Sequence, residues 1–454
     1  MRNLHKIALS VVFAASSLSA QEVPEELTLT LDDCVAIALE RSNSIIQGKL
    51  ARDLRDADVD QARNNFLPTL NASWSTSSSV NGPRNNSFLD PSTNLLVESV
   101  GESSTSGPSQ NVGTTLNFSV FDASDFANLS AAKHNHKAAS LDLTAAQDRV
   151  VFEAKQAYYS LLQAMSLLEV QQEQVRVSEE SLRRAETLNE IGSSPISQVF
   201  SARADLESHK ATLILRENDV EIARSNLSFA LGATADQRII PVEMDISVHE
   251  IPITFEKAFS LASSRPSLVA DRHAMMGSKD NLRATKFRLH TPSVNLSASY
   301  RWDLTDEEDF RGLEDLFLRN YRYNLSLSVS LPIFNMGTTT SVRRQKVQYL
   351  QQLETYEQAK RQLGLDLRRT LLRLEQLRRT VDANQASVVA QEQDFRLQDE
   401  AYNFGAGTFL DRQQAQLRLF TAKSNLVHAR YDFQIQIANL EQLVGMPLEA
   451  ALQE

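Results

Sequence analysis

The chain has 454 residues, a formal net charge of −11, 42% hydrophobic residues and a single cysteine. The acidic balance argues against nucleic acid as a partner, and one cysteine excludes an internal disulfide. With only 14 glycines and 12 prolines in the whole chain, long uninterrupted elements are expected.

Residues 1–20 read as a secretory signal peptide. Arg2, His5 and Lys6 precede an apolar run from Ile7 to Ala15, and Ser16-Ser17-Leu18-Ser19-Ala20 supplies small residues for cleavage before Gln21. That run is too short to span a bilayer. Loss of Arg2 and Lys6 takes the formal charge from −11 to −13. An exported chain without disulfides draws its stability from an extensive core or an oligomer. Beyond the signal no stretch has the length and apolarity of a transmembrane helix, so any entry into a membrane is by strands.

After the signal, Thr30-Leu31-Asp32-Asp33 places a helix N-cap before two acidic residues that suit the helix dipole. Leu70, Ala72 and Trp74 then alternate with polar residues, as do Leu116, Phe118 and Val120. Between them, Asn81 to Gln110 is rich in Ser, Asn, Gly and Pro and reads as an exposed loop. From Thr114 through Ile191 there is neither glycine nor proline, and Ala154, Leu161, Leu168, Val175 and Leu182 recur every seven positions. This predicts a helix of roughly 100 Å. Gly192 breaks it, and a shorter helix follows on the seam Val199, Leu206, Leu213, Val220 and Leu227. The two form an antiparallel coiled-coil hairpin.

The stretch from Ala233 to Ile253, with Pro241 and Pro252, joins two halves. It divides a first repeat at 21–240 from a linker at 241–253 and a second repeat at 254–454. Thr254-Phe255-Glu256 opens the second half with the same cap. Val294, Leu296, Ala298, Tyr300 and Trp302 alternate with polar residues, and Tyr323 to Leu331 keeps a strict period of two. Asp303 to Asn320, with its acidic run from Asp306 to Asp309, is the loop between them. A second long helix carries Leu367, Leu374, Val381, Val388 and Phe395, breaks at Gly405, and returns on Leu419, Leu426, Phe433 and Leu440.

The halves are copies of one unit. Phe121, Gly192, Ala202, Leu206, Asn226, Leu227 and Gly232 recur 213 positions on as Phe334, Gly405, Ala415, Leu419, Asn439, Leu440 and Gly445. Pro68, Asn71 and Ser73 recur 224 positions on as Pro292, Asn295 and Ser297, so the 11-residue difference falls in the loops between strands. Each half supplies two strands of about ten residues with one apolar and one polar face, the pattern of a transmembrane barrel strand. Trp74 and Trp302, the only tryptophans, lie in them as membrane-interface aromatics would. A soluble sheet would need a covering layer, and the rest of the sequence is long helix. Four strands cannot close a water-filled barrel, and open edges are not tolerated in lipid, so several chains must contribute; three supply twelve strands.

The order helix, strand, loop, strand, long helix, glycine-containing turn, helix, given twice, resembles the outer-membrane efflux protein family, the TolC-like channel tunnels. The residues that carry the resemblance are Leu331-Pro332-Ile333-Phe334-Asn335 after the last strand and Phe404-Gly405-Ala406-Gly407-Thr408-Phe409-Leu410-Asp411 at the second helix turn. Their first-half counterparts are Val120-Phe121-Asp122 and Ile191-Gly192-Ser193-Ser194-Pro195-Ile196. The resemblance implies a mainly α fold with a β-barrel part. Three chains would build a twelve-stranded barrel in the outer membrane of a Gram-negative bacterium above a periplasmic α-barrel. It further implies an exit duct of a tripartite efflux or secretion system. The turns at Gly192, Ser193 and Pro195, and at Gly405, Ala406, Gly407 and Thr408, would dock a periplasmic adaptor (membrane-fusion) protein and through it an inner-membrane transporter.

The same resemblance assigns a periplasmic gate. Asp411 matches the position whose carboxylates ring the entrance; the alternative for Asp411 is an ordinary first-turn aspartate after a Thr408 cap. The family's second carboxylate is Gln414 here. Tyr402 matches the tyrosine of the closed-state latch, but the latch arginine position is Gly407 and the aspartate position is Gln198, beside Ser197. His134-Asn135-His136 raises the idea of a metal, yet residues two apart on a helix face different sides. No nucleophile–base pair, metal-ligand spacing or phosphate loop emerges, so a non-enzyme without a cofactor is predicted. The competing reading from another class is a periplasmic coiled-coil scaffold with an adhesive head. Nothing selects among drugs, metals and polypeptides as cargo.

Overall fold

A computed structural model of the protein describes residues 26–83, 85–89, 91–93, 95–100, 104–233, 238–242, 248–304 and 321–448. The signal segment, most of the acidic loop (305–320) and part of the linker (243–247) lie outside the described residues.

In chain order, β1 (Glu26–Leu29) leads into α1 (Leu31–Arg41) and α2 (Asn43–Asn64). Strands β2 (Thr69–Asn81), β3 (Asn85–Leu89), β4 (Leu96–Val100) and β5 (Ser104–Asp122) follow, then helices α3 (Ala123–Glu190) and α4 (Ile196–Ala230). The second half contributes β6 (Arg238–Pro241), α5 (Phe255–Ala262), α6 (Pro266–His290), β7 (Ser293–Leu304) and β8 (Tyr321–Ser330). It ends in α7 (Met336–Asn403) and α8 (Phe409–Val444).

The duplication is kept to the residue. Helices α3 and α7 are both 68 residues long, and each end of α7 lies 213 positions after the matching end of α3. Their lengths correspond to about 100 Å of helix axis each. The positive-φ glycines Gly192, Gly232, Gly405 and Gly445 are two positions of the repeat, each used twice. Thr30 caps α1 by accepting from Asp33 N, while the Asp33 carboxylate accepts the Thr30 N–H at 3.1 Å, which closes a capping box. Thr254 caps α5 one way only, its side chain accepting from Lys257 N, since Lys257 has no carboxylate to close a box.

Two compact units are present, and each takes segments from both halves, so the division runs across the repeats. One unit comprises Asn43–Arg149, Ile251–Arg373 and Asn439–Glu454. Its centre is an antiparallel sheet in the order β2-β5-β7-β8. Here the coiled helices are fastened by specific contacts: Ser130 donates to Asp280 at 2.6 Å, and the Nδ1 atoms of His134 and His273 lie 3.0 Å apart, tying α3 to α6. His136 instead faces Asp56 at 3.9 Å.

The other unit comprises Met1–Ser42, Val150–Glu250 and Leu374–Ala438. It holds both helix turns and a short parallel pair, β1 with β6. The fully buried Tyr158 donates toward the Val242 carbonyl at 2.7 Å, closing that pair onto α3. The heptad seams are its core: Ala154, Leu161, Val175, Val199, Leu206, Val220 and Leu227 are buried, as are Leu374, Val381, Val388, Leu419 and Phe433.

One expectation needs correction. The stretch from Asn81 to Gln110 is not all loop: it contains the β3–β4 hairpin, and β5 begins at Ser104. Asn85-Asn86-Ser87-Phe88-Leu89 and Leu96-Val97-Glu98-Ser99-Val100 do not alternate apolar with polar residues, so they carry no period-two signal. The β1–β6 pair was also illegible, because four-residue parallel strands from distant segments carry no local pattern.

Candidate functional site

The sheet separates two chemistries. Residues directly opposite one another share a face, so Leu70, Leu116, Ala298 and Leu325 form one apolar row. Trp74, Val112, Trp302 and Tyr321 form another. Along β8 this face is bare: Tyr323 is 76% exposed and Leu327 65%. On the reverse face run Asn71, Thr115, Ser299 and Asn324, then Thr69, Asn117, Ser297 and Ser326, then Ser73, Gly113, Arg301 and Arg322. A large exposed apolar face backed by a polar one marks a contact surface rather than a buried core. Among the described residues β2 and β8 each have a partner strand on one side only. No helix of the described residues is long and apolar enough to cross a membrane.

The two tryptophans differ. Trp74 is 71% exposed on edge strand β2, whereas Trp302 is buried, its ring meeting Tyr300 edge-on at 4.7 Å. They sit in one row across the sheet, Val112 between them.

At the helix turns the backbone does the work. Gly192, at φ 75°, lets the chain leave α3, with Ser193 N donating to Leu188 O at 2.8 Å. Asn189 Nδ2 then binds the Ser194 carbonyl at 2.8 Å, and Pro195 starts α4. In the second turn Gly405 is at φ 71°, and both Ala406 N and Gly407 N donate to Ala401 O, at 2.8 and 3.0 Å. A Cβ at Gly407 would lie 3.1 Å from Tyr402 N, which gives a packing reason for glycine there. Thr408 caps α8: Asp411 N donates to its Oγ1 at 3.1 Å, and that hydroxyl donates to Asp411 Oδ2 at 2.6 Å. Asp411 and Gln414 are exposed. Tyr402 Oη donates to Gln198 Oε1 at 3.4 Å, so two residues expected at the latch meet through one long neutral bond, with Ser197 exposed beside them.

Sequence reading missed a charged network behind the turn. Asp399 on α7 accepts from Arg412 Nε at 2.5 Å and from Arg184 Nη1 at 3.1 Å. Arg412, 3% exposed, also donates to Ser181 at 2.8 Å. Arg184 reaches Asn403 at 2.7 Å and Glu180 at 2.9 Å. Burial pushes the Asp399 carboxyl up, but Arg412, Arg184 and Asn403 together outweigh it and hold it below its ordinary value. Beside it a cavity of about 210 Å³ is lined by Ser178, Asp205, His209, Gln413 and Gln416 among others. His209 Nδ1 meets Ser178 Oγ at 2.8 Å and its Nε2 meets the Gln174 amide at 2.9 Å; Gln413 donates to Asp205. Burial lowers the His209 pKa against the opposing pull of Asp205, and burial raises Asp205. The signal was available: Gln171, Gln174, Ser178 and Ser181 are buried at 3-4-3 spacing, a polar stretch of the coiled-coil seam.

Comparison with known proteins follows the same outline. The family described as outer membrane efflux protein matches residues 35–233 and 260–446. The outer membrane protein TolC of Vibrio cholerae serotype O1 is 21% identical over 412 residues, 90% of this chain and 89% of that protein. The cation efflux system protein CusC of Escherichia coli K12 is 22% identical over 346 residues, 74% of each chain. Among solved structures, the Campylobacter jejuni CmeC outer membrane channel superposes with a TM-score of 0.77 at 18% identity, covering 91% of this chain and 85% of that one.

Proposed function

This chain belongs to the outer membrane efflux protein family, and from that premise we propose that three copies join their four-stranded sheets into one twelve-stranded barrel. As a family member it is an outer-membrane efflux channel, which sets aside the scaffold reading. The observation that carries the assembly is the sheet: an exposed apolar face, a polar reverse face, and two edges that among the described residues have a free side. Lipid tolerates no open strand edge, and small barrels alternate apolar-out with polar-in. The Leu70 row and, apart from the buried Trp302, the Trp74 row therefore meet lipid, and the Asn71, Thr69 and Ser73 rows line water. Trp74 and Trp302 lie at one level of the membrane interface.

The helical hairpins continue the duct into the periplasm. Their turns, at Gly192, Ser193 and Pro195 and at Gly405, Ala406, Gly407 and Thr408, dock the periplasmic adaptor and through it an inner-membrane transporter. Ile191 at 68% and Phe404 at 87% exposure supply an apolar anchor beside each turn. Selection of cargo belongs to that transporter.

The gate is the ring of three Asp411 carboxylates. The Thr408 hydroxyl fixes each carboxylate, so the ring holds its charge at one level and favours cations. Gln414 adds polarity without charge. Closure rests on the neutral Tyr402–Gln198 contact and, behind it, on the Arg184–Asp399–Arg412 network. Planar-bilayer recordings of the purified protein and its Asp411→Ala variant test this: cation selectivity falls in the variant. Pores with unchanged selectivity would move the constriction elsewhere.

A further inference from the structure

The duplication supplies a template for the contact between copies, a deepening that rests on the ring assembly proposed above. Within one chain the end of the first repeat packs on the start of the second: β5 pairs with β7, and α3 is tied to α6. In a closed ring the end of the second repeat must meet the start of the first in the next copy, which brings β8 to β2 and α7 to α2. Shifting β5 and α3 by 213, and β7 and α6 back by 224, translates each observed contact into an intersubunit one.

The strands translate with their faces intact. Leu116 opposite Ala298 becomes Val329 opposite Trp74 of the partner subunit, and Asn117 opposite Ser297 becomes Ser330 opposite Ser73 of the partner subunit. Apolar residues meet apolar and polar meet polar, as they must, because a slip of one residue would invert every side chain. The chain directions agree as well: β2, β5, β7 and β8 alternate, so β8 and the next β2 are antiparallel. One exits the barrel where the other enters it.

Of the three helix contacts two translate into charge complementarity, while the third, His134 against His273, becomes Val347 against Lys49 of the partner subunit. Ser130 bonded to Asp280 becomes Arg343 facing Asp56 of the partner subunit. Gly277, where an added Cβ would stand against Asn135 Oδ1 and 3.4 Å from Ala131 O, becomes Asp53 of the partner subunit beside Gln348 and Arg344. Arg343 and Arg344 are exposed and make no ion pair with a described residue. Asp53, bonded to Arg52 of its own helix at 2.7 Å, and Asp56, 3.9 Å from His136, keep 60% and 64% of their side chains exposed. Apolar residues flank both pairs: Ile46, Leu50 and Leu54 form an exposed stripe on α2, and Val347 and Leu350 are exposed on α7. Counting from the barrel ends of the helices, Leu50 is 14 residues below Asn64 and Leu350 is 14 below Met336, so they lie at one height.

We infer that each chain closes the ring through a β8–β2 seam in the register Ser330 opposite Ser73 of the partner subunit. Below it lies an α7–α2 seam built on Arg343 with Asp56 of the partner subunit, and Arg344 with Asp53 of the partner subunit. The apolar stripes of α2 and α7 cover one another in the assembly.

Oxidative cross-linking of Ser73→Cys/Ser330→Cys in isolated outer membranes tests the register, with Ser77→Cys/Ser330→Cys, about 13 Å out of register, as control. Cys34 does not compete, being buried with its thiol pushed up to about 12. The expected result is a reducible trimer band from the first pair and none from the second. Reversing Arg343 and Arg344 to Asp should cost most of the trimer, and adding Asp53→Arg and Asp56→Arg should restore it. Light scattering of the detergent-purified protein separates the two claims. A trimer mass with cross-links only in the control pair overturns the seam and leaves the channel; a monomer mass overturns both.

Discussion

Replacing Asp399 by Asn removes one charge from the centre of the turn network while keeping its shape. Arg412 bears the loss: it is 3% exposed, and without the carboxylate its charge is met only by the Ser181 hydroxyl at 2.8 Å and the Phe395 ring at 5.7 Å. Arg184 is cushioned, because it is 26% exposed and keeps Glu180 and Asn403. Two charge-assisted bonds become neutral-acceptor bonds and one buried guanidinium is left without its counter-charge, a loss of about 3 kcal/mol. Such a loss raises local opening near the turn about 150-fold. Hydrogen–deuterium exchange of peptides spanning 178–188 and 395–416 at neutral pH reads it directly. Adding Arg412→Leu removes the stranded charge and should recover most of the protection. The pH dependence has a definite sign. Since the folded carboxyl is held below its ordinary 3.8, its contribution is complete above that value and is lost only as pH falls through the depressed one. The difference between wild type and Asp399→Asn should therefore be constant from pH 5 to about 8. Unchanged exchange in Asp399→Asn, or a double variant as fast as the single, would refute the reasoning.

Three further outcomes are expected. Gly405→Ala meets no neighbouring atom, so its whole cost is the left-handed backbone at φ 71°, about 1–2 kcal/mol, visible as faster exchange confined to the second turn. Gly113→Val places a Cβ 2.8 Å from the Tyr300 carbonyl inside the sheet, so the β5–β7 pairing breaks and heat-modifiable barrel mobility on gels is lost. His209, whose pKa burial lowers from 6.5, gives stability that is complete above that value and declines as pH falls below it; melting of His209→Gln should lose this acid sensitivity.

Much of the fold was legible because the two periods are strong and each is written twice. Heptads at Ala154, Leu161 and Val175 and alternation from Tyr323 to Leu331 placed the helices and four strands, and in the structure the 213-residue offset carries both ends of α3 onto those of α7. The β3–β4 hairpin escaped because neither of its five-residue strands alternates apolar with polar residues. At the turn, Thr408 capping Asp411 was legible from spacing alone, since both residues act within one helical turn. The Arg184–Asp399–Arg412 network was not, for its members come from three helices and their meeting depends on how the hairpins pack. Its only trace was the run of buried polar residues from Gln171 to Ser181 where a coiled coil would ordinarily place leucine.

The central claim is that one face of the sheet meets lipid and the other lines a water-filled pore. A cysteine scan of β8 from Tyr323 to Val329 in planar bilayers, with a membrane-impermeant charged thiol reagent, tests it most directly. The account predicts conductance block at Asn324, Ser326 and Ser328 and none at Tyr323, Leu325, Leu327 or Val329. Block without a period of two, or block on the apolar face, would contradict it.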